Sequence, residues 1–197
     1  MTSLLTGADA LTPGIAAGLV AIEGTQLRFR HPLVRSAIYQ AASPPERQAV
    51  HSALAQVLAD QPDRQVWHRA AAALGPDEQV ATELEEAAGR AGQRGAMAVA
   101  VTALQRAAEL SESPARRGSR FLRAAELAFE FGRAGFGPQF LQAAEQLDLP
   151  AEERTWLAWL RETYAEVGWS GPAKVGSLVE IADRLRADGH LDLVSRS

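Results

Sequence analysis

The chain contains no cysteine. Disulfides, thiol nucleophiles and cysteine-ligated metals are therefore excluded. Aromatic residues are scarce, at 6% of the 197 residues, so large rings cannot fill a core along most of the chain. Lysine is nearly missing too. Lys174 is the only one, and arginine supplies the rest of the positive charge. Nor is there a basic excess: the formal net charge is −4, which disfavours a strongly basic nucleic-acid binder. Long apolar runs are absent. The longest uncharged stretch, residues 11–22, is broken by Pro13, Gly14 and Gly18. It falls short of the roughly 18 apolar residues a membrane helix needs. The first residues also lack a basic start and carry Asp9, unlike a secretory signal. The expectation is a cytoplasmic chain with no membrane association.

What is present is alanine, roughly one residue in five, within a hydrophobic share of 47%. Alanine is the best helix former, and its small side chain lets helices approach closely. An all-α, tightly stacked fold is expected. The first residues read differently. Residues 19–22 are apolar, Glu23-Gly24-Thr25 is a turn signal, and residues 26–30 alternate with Leu27 and Phe29 on one face. This predicts a short β-hairpin over 19–30. Pro32 suits a first helical turn, and Leu33, Val34, Ala37 and Ile38 share an apolar face, predicting a helix over 32–41. From Glu46 onward, breakers such as Gln61-Pro62-Asp63, Gly75-Pro76, Ser113-Pro114 and Leu149-Pro150 separate helix-length segments. Residues 47–74 read as one divergent helical hairpin.

Gly95, Gly132 and Gly168 recur at spacings of 37 and 36. Eleven residues before each stands Leu84, Phe121 or Leu157, and four before stands Ala91, Ala128 or Tyr164. Ala88 and Ala125 hold the place seven before the first two glycines, with Arg161 in the third copy. Ala107 and Ala144 follow the first two by twelve, where the third copy has Glu180 and then Ile181. The pattern is helix, tight turn, helix, with small residues where helices cross. The period is slightly longer than the roughly 34 residues of a tetratricopeptide repeat. A TPR-like stack of helical hairpins, an α-solenoid, is expected, because one hairpin cannot bury its apolar face alone; a generic helical bundle with alanine-rich seams is the alternative.

No phosphate loop, G-x-G-x-x-G or G-x-S-x-G motif occurs. His31, His51, His68 and His190 form no H-x-x-x-H pair, so no metal site is expected. No catalytic residue can be named, and a non-enzymatic chain is expected. Three features remain. Arg28, Arg30 and Arg35 surround His31 at a predicted helix start, where free N–H groups attract anions; His31 either meets a phosphate there or caps its own helix. Aromatics cluster between residues 121 and 169. Most of them suit core packing; Phe129 and Trp159 fall off the repeat positions and, with Trp169, are candidates for an exposed partner surface. Arg116, Arg117, Arg120 and Arg123 form a basic run that suits either an acidic partner or solvent, with Arg116 and Arg120 as candidate contacts.

The segment 27–39, Leu-Arg-Phe-Arg-His-Pro-Leu-Val-Arg-Ser-Ala-Ile-Tyr, resembles the end of the winged-helix part of large ATP-binding LuxR-type transcriptional regulators, a branch of the signal-transduction ATPases with numerous domains. Residues 44–55 and 67–78 are similar to the helices that follow in that family. The resemblance spans roughly residues 19–165. It implies a partial winged helix over 1–45 and a TPR-like repeat domain over 46–197. It also implies a regulatory role: the repeats receive a protein or small-molecule effector, while ATP or ADP and promoter DNA bind to modules outside this stretch. No cofactor is implied for the chain itself. His31, with Arg30 and Arg35, matches the place where a histidine touches the β-phosphate of ADP in related ATPases. The chain would then be an excised fragment or a truncated relative, and homo-oligomerisation through a repeat end is a further expectation. The alternatives are a free-standing TPR-like scaffold that binds a peptide or protein, and a small DNA-binding winged helix using Arg28, Arg30 and Arg35.

Overall fold

The computed structural model describes residues 11–24, 26–131, 136–164, 176, 179–184 and 186. A short helix α1 (Thr12–Ala16) precedes strands β1 (Val20–Glu23) and β2 (Gln26–Phe29). Helices follow: α2 (Pro32–Ala41), α3 (Pro44–Val57), α4 (Pro62–Ala72), α5 (Glu78–Gln93), α6 (Met97–Leu110), α7 (Pro114–Glu130), α8 (Gly137–Glu145) and α9 (Ala151–Tyr164). This is an all-α helical-repeat fold with an N-terminal β-hairpin. It divides into two compact units, Met1–Ala72 and Ala73–Ser197. That boundary differs from the one expected after residue 45. The reason is local: α3 packs against α4, and Tyr39 of α2 reaches His51 of α3. The divergent hairpin therefore belongs with the strands.

In the first unit β1 and β2 pair antiparallel, Val20 opposite Phe29 and Glu23 opposite Gln26. Gly24 turns the chain at φ +63°, a conformation in which a side chain would be strained. Pro32 and Pro44 open α2 and α3, where their missing N–H costs nothing. Before α3, the backbone N–H and Oγ of Ser43 both donate to Glu46 Oε2, at 2.8 and 2.7 Å. Burial here is sparse. Val20, Ala55, Leu58, Val66 and Ala70 are buried, whereas Leu33, Ile38, Val50 and Val57 are exposed. α1 was not legible in the sequence, because its five residues contain both Pro13 and Gly14.

In the second unit each helix packs on the next, α5 on α6, α6 on α7, α7 on α8, α8 on α9, and α7 also meets α9. Asp77 Oδ1 caps α5 by accepting from the Val80 N–H at 2.9 Å. Gly95, at φ +74°, turns α5 into α6, as the repeat requires. Gly132 and Gly168 lie outside the described residues. The small residues fall where the repeat places them: Ala88, Ala91, Ala107, Ala125, Ala128 and Ala144 are all buried. Leu84 and Leu157 are buried as well. Phe121 is half-buried and stacks on Phe140 of α8, with ring centroids 6.3 Å apart. In the degenerate third copy Arg161 is exposed and pairs with Glu145. Residues 179–184 are helical, with Glu180 exposed and Ile181 half-buried. Among the described residues no helix is long and apolar enough to cross a membrane.

Candidate functional site

The junction between β2 and α2 carries the sequence-predicted phosphate contact. His31 is extended, with φ −137° and ψ 134°, and its Nδ1 accepts the Leu33 N–H at 3.2 Å. It therefore caps its own helix. An accepting Nδ1 places the ring proton on Nε2, which remains a donor on an exposed side chain. Arg28 does not join it, since its guanidinium is 3.0 Å from Glu23 of the facing strand. The side chains of Arg30 and Arg35 are exposed, and neither is bonded to His31 among the described residues. The junction thus offers one imidazole donor and two solvated arginines near a helix N-terminus.

The expected partner surface divides. Phe129 is buried, covered by the start of α8: a Cβ on Gly137 would lie 2.4 Å from Phe129 Cζ. Arg120 is buried as well, with only 4% of its side chain exposed. Both leave the partner surface. Trp159 is half-buried, and Trp169 lies outside the described residues. Arg116 is exposed but ion-paired to Glu78 at 3.1 Å. Among the described residues of the second unit the exposed aromatics are instead Phe131 and Phe136. With Met97, Val99 and Val101 of α6, Phe131 lines an open trough of about 340 Å³. Phe136 lines a smaller depression of about 90 Å³ beside it, with Thr102 and Gln105. A third cleft, of about 470 Å³, runs between Leu147, Leu149, Leu157 and Ile181, edged by Glu145, Arg154 and Arg161.

The basic run is a joint between helices. Arg120 Nε is 3.0 Å from Glu85 and its Nη1 is 2.8 Å from Glu78, both on α5. Nη1 also donates to Ser111 Oγ at 2.6 Å, and Nη2 to Thr82 Oγ1 at 3.4 Å. Arg116 adds a second cation at Glu78 and Arg123, 3.3 Å away, a second at Glu85. Glu78 also accepts the Glu112 N–H at 3.1 Å. Burial alone would raise the Glu78 pKa, but the bonds from Arg116, the Glu112 N–H and Arg120 outweigh it and hold the carboxyl below 4.5. The joint is multidentate and charge-assisted, and it links α5 to α7. One signal for it was in the sequence: Glu78 and Glu85 share a helix face, as do Arg116, Arg120 and Arg123, one repeat further on.

A second cluster escaped the sequence reading altogether. His51 Nδ1 and His68 Nδ1 are 2.9 Å apart, and Tyr39 Oη is 3.2 Å from His51 Nε2. Three helices of the first unit meet through these rings. Among the described residues no group of three or more histidine, aspartate or glutamate side chains converges as a metal site would require.

No protein-family model, curated protein or solved structure matches the chain.

Proposed function

We propose that this chain is the signal-receiving arm of a LuxR-type ATP-dependent transcriptional regulator, with no catalytic step and no cofactor of its own. The single observation that carries the reading is the order of parts: a β-hairpin, a helix capped by His31, then helical hairpins braced by ion pairs. The sequence resemblance assigns that order to the joint between a winged helix and its repeats. In this reading ATP or ADP sits in the regulator's ATPase domain, and His31 Nε2 donates to its phosphate. A protein or small-molecule effector binds the repeats, and its better fit to one domain arrangement shifts the whole switch. The protein acts in the cytoplasm, self-associates through a repeat end, and meets DNA only through a separate helix-turn-helix.

The test uses the regulator encoded by the complete reading frame. His31→Ala is expected to speed ADP release several-fold, and an unchanged release rate removes the phosphate contact. Phe131→Asp with Phe136→Asp is expected to abolish effector-dependent transcription while helicity is kept. Full induction in that variant would sink the repeat surface as the effector site. The trough beside Phe131 favours one alternative, a free-standing TPR-like scaffold for an apolar peptide. A reading frame with neither ATPase nor helix-turn-helix would decide for that scaffold.

A further inference from the structure

We infer that the outward face of α2 docks an acidic amphipathic helix of another protein, whose apolar stripe lies on Leu33, Ala37 and Ile38 and whose carboxylates meet Arg30 and Arg35. The inference stands on the first unit alone and goes beyond the regulatory reading above, which places its effector on the repeats.

The pattern of α2 is that of a helix built to be covered. Leu33, Ala37 and Ala41 recur every four residues, and Val34 and Ile38 form the neighbouring row. Large and small side chains share this arc as they do on α5 and α6, where the alanines and leucines are buried and the two helices pack together. On α2 the same arc faces solvent. The helix buries none of its residues, Leu33 and Ile38 are 69% and 52% exposed, and only Val34 is half-buried. The hold on α2 comes from its other side. Arg47 of α3 donates to the Tyr39 carbonyl at 3.4 Å and lies 5.5 Å from the centre of its ring, and the Tyr39 hydroxyl is 3.2 Å from His51 Nε2. At about 3.6 residues per turn, Tyr39 lies opposite Ala37 and Ala41. α3 thus anchors α2 by one side and leaves the apolar side open.

Charge selects the occupant. Residues 11–41 carry Arg28, Arg30 and Arg35 against a single carboxylate, Glu23. Arg28 takes that carboxylate at 3.0 Å, and Glu46 at the start of α3 is occupied by Ser43. Arg30 and Arg35 are exposed, and neither is paired with an acid among the described residues. Arg35 borders the apolar arc beside Ile38, and Arg30 precedes the first turn of α2. An occupant that fills the arc meets both cations, so it is apolar along one stripe and acidic at its edge. A second copy would bring the same arginines and no spare acid, setting like charges face to face. DNA phosphates would match the arginines but offer nothing apolar to Leu33 and Ile38. An anionic membrane favours helices with bulky rings and a cation-rich polar face, whereas α2 has no Phe or Trp and carries Ser36 and Gln40 there.

Synthetic helical peptides of about 18 residues, long enough to cover the roughly 15 Å of α2, test this on the full chain. All carry one leucine stripe, and their remaining positions are Glu, Gln or Lys. The readout is the backbone NMR shift of α2 itself, because the net charge of −4 attracts the Lys peptide elsewhere on the chain. The Glu peptide should bind α2 about tenfold more tightly than the Lys peptide, with a preference that shrinks as salt rises. Arg30→Gln with Arg35→Gln should remove the preference and keep binding of the Gln peptide. Leu33→Ser with Ile38→Ser should abolish the α2 response to all three, with the helical shifts of α2 as the check on folding. No α2 response to the Glu peptide, equal affinity for the Glu and Lys peptides, or indifference to the Leu33 and Ile38 changes overturns the inference. Tighter binding of α2 to phosphatidylglycerol vesicles or duplex DNA than to the Glu peptide overturns it as well, as does dimerisation of the free chain through α2.

Discussion

Replacing Arg120 tests the second unit at its most concentrated point. The guanidinium is 4% exposed, and its removal leaves Glu78, Glu85 and the Ser111 hydroxyl facing a gap. Arg120→Ala should cost about 3 kcal/mol, the order for breaking a buried ion pair from one side. Arg116→Ala and Arg123→Ala, whose side chains are 63% and 52% exposed, should each cost under about 1 kcal/mol. Urea melts at constant slope measure the difference. Near-equal losses at the three positions would show that the joint does not depend on burial. At this scale the sequence was only partly legible. Phe129 and Arg120 read as surface residues because their cover comes from other helices, Gly137 in one case and α5 in the other. His51 and His68 are 17 residues apart, but both are equally far from the turn near Gln61. An antiparallel hairpin brings such positions together. That relation appears only once the hairpin is known.

Helix by helix, the sequence spoke more clearly. Pro32, Pro44, Pro62 and Pro114 each begin a helix, and Gly95 ends a turn, because these residues have restricted or permissive backbones whatever the tertiary setting. Hairpin 19–30 and helix 32–41 are where their patterns put them. α1 was missed, since a five-residue helix carries too little periodicity to register. The joint between α5 and α7 should also respond to acid. Glu78 is held below 4.5, so its contribution is complete above that value and is lost as pH falls through its lower folded value. Urea stability of the second unit should therefore decline below about pH 4.5, and Glu78→Gln should flatten that decline. An identical acid limb in the variant would assign the decline to other carboxylates.

For the molecule as a whole, the two units should not share one stability. The first buries few side chains, whereas α5, α6 and α7 bury a continuous alanine and leucine seam. Native-state hydrogen exchange should show α3 opening at lower urea than α6, with separate slopes. Merged isotherms would mean that the units unfold as one. The spacing of Gly95 and of the alanines at 88, 91, 107, 125, 128 and 144 made the serial arrangement readable, because local periodicity survives in any stack; Gly132 and Gly168 lie outside the described residues. The division at residue 72 was not readable, since it depends on which neighbours α3 chooses. The crosslinks between successive repeats also differ in kind. α5 grips α7 through three arginines, while α7 holds α9 through the Ser119 hydroxyl on Glu153 at 2.6 Å. A tensile load that drew α5, α7 and α9 apart would meet several guanidinium rungs at the first gap and a hydroxyl rung at the second, so the contact of Ser119 with Glu153 parts before those of Arg116, Arg120 and Arg123.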